Sequence, residues 1–138
     1  VTPPPLGRAL AAAAVGGVLG SLARYGLTEW HAVGTGFPWT VFAINVVGSA
    51  LLAALPAFAV VRRSPLLGVF LGTGVMGGFT TMSAASAETV TLFEHNRDLT
   101  AFCYVAGTLV AALVAVAVVD RWSTAAARAD AEESGVDE

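Results

Sequence analysis

The chain has 138 residues, 56% of them hydrophobic and only 12% charged, with a mean hydropathy of +0.73. Soluble domains carry about 25% charged residues, and a soluble fold of this size could not hide so much apolar surface. The formal net charge of −3 comes from acids crowded after Arg128, and the sequence has no basic patch suited to a nucleic acid.

A Pro-rich lead-in over residues 1–5 precedes a first membrane span at about 6–28. Arg8 followed by an apolar stretch looks like the start of a signal peptide, but the later spans favour a retained helix. Gly16, Gly17 and Gly20 form a small-residue face of the kind that lets membrane helices approach closely. Arg24, beside Tyr25, either snorkels to the headgroups with the tyrosine in the aromatic belt or lines an anion entrance. Residues 29–37 form a loop, with His31 a solvated residue lacking a second metal ligand at a useful spacing.

The second span is expected at 39–61. Its Asn45 is costly in mid-span unless it has partners, so it serves either a helix–helix hydrogen bond or a pore. Arg62, Arg63, Ser64 and Pro65 make a basic turn into the third span, at 66–93. From Gly72 to Ser83 that span reads Gly-Thr-Gly-Val-Met-Gly-Gly-Phe-Thr-Thr-Met-Ser, which disfavours a continuous helix. Backbone that leaves the helix inside a bilayer must be buried in protein or line a polar cavity, so a broken helix forming an ion site is expected here. Glu88 reads as an interfacial residue near the end of this span. The fourth span covers 99–120 and places Tyr104 and Thr108 on one face, with Cys103 a small packing residue. The domain reading is thus all-α: one four-span membrane domain over 1–122, then an acidic, disordered tail over 123–138.

Arg8, Arg62, Arg63, Arg121 and Arg128 fall on the side of the termini, against Arg97 and Arg24 on the other, so both termini are expected in the cytoplasm. The mid-span polar residues are Asn45, Ser49, Thr73, Thr80, Thr81, Ser83, Tyr104 and Thr108, all neutral and all able to donate hydrogen bonds. The lack of a mid-span carboxylate argues against proton-coupled antiport, and no nucleophile–base–orienter set suggests an enzyme. A small anion is the natural guest of such a path, while carbonyls freed at a helix break suit a hard cation such as sodium. Four spans enclose little by themselves, which implies oligomerisation.

Three motifs carry a resemblance across Gly16 to Trp122. They are Gly-Gly-Val-Leu-Gly-Ser-Leu-Ala-Arg-Tyr from Gly16, Asn-Val-Val-Gly-Ser from Asn45, and Gly-Gly-Phe-Thr-Thr-Met-Ser from Gly77 with Glu88 beyond. In this order on a four-span chain they resemble the Fluc (CrcB) family of fluoride channels. The resemblance implies an antiparallel dimer in the cell membrane that exports fluoride passively. It also implies a structural sodium ion at the dimer centre, held by the backbone carbonyls of Gly77 and Thr80. By motif, Asn45, Ser83, Tyr104 and Thr108 belong to the fluoride pathway, and Arg24 and Glu88 match charged family positions. The family's two ring-edge phenylalanines are replaced by Met82 and Ala85. That loss, with the Arg bias, raises the alternative of a heterodimer with a Phe-bearing relative. Further alternatives are a small multidrug-type four-span antiporter and a non-conducting structural or regulatory subunit.

Overall fold

Uncharged runs of this length satisfy their backbone polar groups within lipid only as helices. The computed structural model, which describes residues 3–30 and 36–135, has helices and no strand among those residues. Four stretches are long and apolar enough to cross a membrane: Leu6–Glu29, Trp39–Ala57, Pro65–Glu94 and Asp98–Glu132. The protein is a four-span, multi-pass membrane protein. The expected loop at His31 lies outside the described residues.

The first span is one helix, α1 (Leu6–Trp30). The second is α2 (Trp39–Ala54) followed by a 3-10 turn, Leu55–Ala57. Helix was expected as far as residue 61, but Pro56 supplies no N–H and the chain turns extended at Phe58 (φ −91°, ψ 115°) before α3 (Ala59–Arg63). Ser64 then caps α4 (Pro65–Gly68), its Oγ accepting from the Leu67 N–H at 3.3 Å, with Pro65 at the first helical position.

The third span is the irregular one. Beyond α4 the chain widens into a π-helical stretch, Val69–Met76, which leads into a single turn, α5 (Gly77–Phe79). Thr80 and Thr81 are extended (ψ 152° and 117°), and helix resumes as α6 (Met82–Glu94). The break therefore falls on the two threonines, and Gly77 itself keeps helical dihedrals (φ −64°, ψ −35°). Past α6, Asn96 is left-handed (φ 54°). The Asn96 and Arg97 N–H groups bond the Phe93 and Leu92 carbonyls at 3.0 and 2.9 Å, a Schellman stop that turns the chain into the last helix.

That helix, α7 (Asp98–Gly135), is 38 residues long. At 1.5 Å per residue it reaches about 57 Å, well beyond a hydrocarbon core of about 30 Å. Helix thus runs through 123–135, where the sequence suggested a disordered tail. Two causes act together. Ala125, Ala126, Ala127, Ala129 and Ala131 are strong helix formers, and Asp130 is tied to Arg62 by an ion pair.

α1 lies along the first half of the third span, backbone against backbone. A Cβ added at Gly16 would stand 2.9 Å from the Gly74 Cα, and one at Gly20 2.8 Å from the Phe79 nitrogen. One added at Gly78 would stand 3.0 Å from the Gly17 Cα. Gly16/Gly20 and Gly74/Gly78 are both small-xxx-small pairs, which is why this seam forms. α7 packs on α2 and on α6, the second half of the broken span, and there Tyr104 is fully buried against Leu92, Ala101, Phe37, Phe42 and Ala85.

Candidate ion pathway

The break in the third span is organised by side chains from its neighbours. In a continuous helix the Thr81 N–H would bond the Gly77 carbonyl. Here it donates to Asn45 Oδ1 at 2.8 Å, while Asn45 Nδ2 donates back to the Thr81 carbonyl at 3.0 Å. The Ala84 N–H, which would serve the Thr80 carbonyl, goes to Thr81 Oγ1 at 3.1 Å, making Thr81 the N-cap of α6. The Gly77 and Thr80 carbonyls have thereby lost their helical donors. The Gly78 carbonyl between them is covered instead by α1, through Arg24 Nε at 3.3 Å and Ser21 Oγ at 3.4 Å. A guanidinium here also complements the negative C-terminal end of α5.

Arg24 lines an open pocket on α1 with Ser21 and Tyr25, and its Nε bonds the Gly78 carbonyl. It turns inward to the broken backbone, one turn beyond the glycine seam. Asn45 does make a helix-to-helix bond, to backbone, and it also lines a cleft of about 370 Å³. Met82, Ala85, Tyr104 and Thr108 line the same cleft, as do Ser49, Thr80, Thr81, Ser86 and Thr89.

Ser83, expected on this track, is exposed and does not line the cleft. The reason is helical phase. α6 starts at Met82, and the face turned to the cleft is Met82, Ala85, Ser86 and Thr89, spaced i, i+3, i+4, i+7, which leaves Ser83 off it. Its Oγ instead shares a 3.2 Å hydroxyl–hydroxyl bond with Thr81. Met82 is 83% exposed.

Most cleft hydroxyls are already engaged. Those of Thr80, Ser86, Thr89 and Thr108 each donate to the carbonyl four residues back, at 2.6–2.9 Å. The Tyr104 O–H donates to Glu88 Oε2 at 2.6 Å, and its ring meets Phe37 edge-on with centroids 5.5 Å apart. Glu88, expected at the interface, therefore reaches α7 through the hydroxyl of Tyr104, a cleft residue, without lining the cleft itself. Sequence reasoning had no place for Ser21, Ser86 and Thr89 in this network. The i, i+3, i+4, i+7 spacing from Met82 is the signal that could have found the last two.

The described residues hold no cluster of three or more His, Cys, Asp or Glu side chains that could bind a metal. The structure is thus that of a small four-span membrane protein whose third span is broken beside a cleft lined by neutral hydroxyls and an amide together with Met82, Ala85, Val105, Leu109 and Ala112. A family model for "CrcB-like protein, Camphor Resistance (CrcB)" matches residues 11–119, and the chain belongs to that family. It is 44% identical over 105 residues to the "Fluoride-specific ion channel FluC" of Sorangium cellulosum, covering 73% of this chain and 83% of that one. It is 45% identical over 101 residues to "Fluoride-specific ion channel FluC 2" of Bacillus subtilis, covering 72% and 76%. A third relative, "Fluoride-specific ion channel FluC 2" of Nocardia farcinica, is 41% identical over 134 residues, covering 91% and 94%.

Proposed function

We propose that this chain is a subunit of a fluoride channel that lets the anion leave the cytoplasm passively, across the cell membrane, with both termini cytoplasmic. The observation that carries the proposal is the cleft at the helix break, neutral and lined by hydroxyls and the Asn45 amide, in a chain whose relatives are named fluoride-specific ion channels. A small anion that accepts hydrogen bonds strongly suits such a wall. Four of its hydroxyls now donate to backbone carbonyls and need only rotate about their C–O bonds to face an anion. Each exchange costs about 1 kcal/mol, the net worth of one neutral hydrogen bond.

A second subunit is part of this proposal. Thr73, Gly77 and Met82 are exposed on the single chain, and polar cleft walls are unfavourable against hydrocarbon. A second subunit, inserted antiparallel with its own termini on the outer face, would cover them. The carbonyls of Gly77 and Thr80 fit a sodium ion, being neutral oxygens whose helical N–H partners have been drawn away by Asn45 Oδ1 and Thr81 Oγ1. When bound, sodium supplies positive charge that makes a low-dielectric interior more tolerant of an anion. Met82 and Ala85 favour a specific variant, in which the partner is a related chain bearing aromatic rings at those positions.

The test is fluoride efflux from liposomes holding only this chain. Efflux above that of empty liposomes supports the channel and a homodimer. Efflux that requires co-expression with a related chain supports the heterodimer, and no efflux in either case sinks the proposal. A melting temperature in detergent that rises with sodium but not with N-methylglucamine supports the cation site.

A further inference from the structure

Ser49 is set apart from the other hydroxyls of the cleft. It stands four residues after Asn45 on α2, so the two side chains share one helical face, their Cβ atoms about 6 Å apart. A serine inside a helix commonly returns its proton to the carbonyl four residues back, as Ser86, Thr89 and Thr108 do here. Every other hydroxyl on the cleft wall takes part in a hydrogen bond within the protein. Ser49, half-buried on that wall, has no such bond. The second N–H of the Asn45 amide is likewise left over once the first has bonded Thr81.

The packing holds this pair in place. Gly48 is buried, and a Cβ added there would collide with the Thr80 and Phe79 side chains. α2 is therefore pressed directly onto the break and cannot rotate Ser49 off the cleft wall.

We propose that Ser49 Oγ–H and the free Asn45 N–H form the first anion-holding step of the cleft, for a small anion with strong acceptor character. This rests on the fluoride-channel reading. The two donors need no prior bond to be broken, whereas the neighbouring hydroxyls must first leave a carbonyl. An anion passes from the ready pair to the hydroxyls that rotate. Ser49 is thus a ligand of the passing anion, and its loss removes a donor without removing any bond of the empty protein.

The experiment compares full-length Ser49→Ala, Ser49→Thr and Ser86→Ala in liposomes by fluoride efflux. The fluoride-dependent rise in melting temperature of each is read in detergent. Ser49→Ala is expected to slow efflux about tenfold and to weaken the fluoride-dependent rise, with its melting temperature in fluoride-free buffer unchanged. Ser49→Thr keeps the hydroxyl and is expected within about threefold of the wild type, and Ser86→Ala is expected to lose less than Ser49→Ala. Wild-type responses that Ser49→Ala reproduces in full would overturn this assignment alone. A wild-type chain with neither efflux nor a fluoride-dependent rise removes the channel reading and this assignment with it.

Discussion

The two sides of the broken third span are built on opposite principles. Toward α1 the contact is backbone on backbone, with Gly16, Gly20, Gly74 and Gly78 leaving no room for a side chain. Toward α2 and α7 the contact is made by side chains, with Asn45 clasping Thr81 and Tyr104 reaching Glu88 around an open cleft. The first side gains from close dispersion contact and cannot yield. The second relies on directional bonds that can be exchanged one at a time. A helix break inside a membrane needs both, a rigid seam to hold the two halves in line and replaceable donors where an ion must pass.

The seam is the place where this contrast is easiest to break. Gly20→Leu forces a branched side chain into the Val75 and Phe79 backbone, and we expect a loss of about 3 kcal/mol or more, seen as aggregation on size exclusion and a collapsed melting transition. Gly17→Ala is the matched control. A Cβ there meets nothing within 4 Å, so its stability should stay within about 0.5 kcal/mol of the wild type. If Gly20→Leu melts like Gly17→Ala, the seam is not rigid.

On the cleft side the effects should be smaller in stability and larger in transport. Asn45→Ala removes two bonds to Thr81 and should cost about 2 kcal/mol while slowing fluoride efflux at least about tenfold. Restored efflux at normal rate in this variant would remove Asn45 from the pathway. Tyr104→Phe keeps the ring against Phe37 and loses only the bond to Glu88, so about 1–2 kcal/mol is expected in chemical unfolding. Met82→Phe changes an exposed side chain and should leave the melting temperature within about 2 °C. Its value is in transport, since a gain in efflux would show that the missing rings limit conduction. Farthest from both regions, Asp130→Asn breaks the half-exposed ion pair with Arg62 and should cost under about 1 kcal/mol, less at high salt.

Uncharged length, small-residue spacing and motif order were enough to establish four spans, an irregular third span and the family. These are one-dimensional properties: a hydrocarbon core imposes a length, and close helix approach imposes glycine four residues from glycine. The sequence also marked Asn45 as a polar group needing partners, because unpartnered polar groups in lipid are costly, while Arg24 and Glu88 read as charges at the ends of their spans. It could not name those partners. Asn45 finds Thr81, Arg24 finds Gly78 and Glu88 finds Tyr104, pairs separated by 36, 54 and 16 residues and joined only by packing.

Only the tertiary structure decided the phase of α6. The chain becomes extended at Thr80 and Thr81 rather than at the glycines, because Asn45 takes the Thr81 N–H and Thr81 in turn caps α6. Where a helix restarts fixes which residues face the cleft, and this excluded Ser83 while admitting Ser86 and Thr89. The polar composition of the pathway was written in the sequence. Which donors are free and which are already bonded depended on the distances between helices.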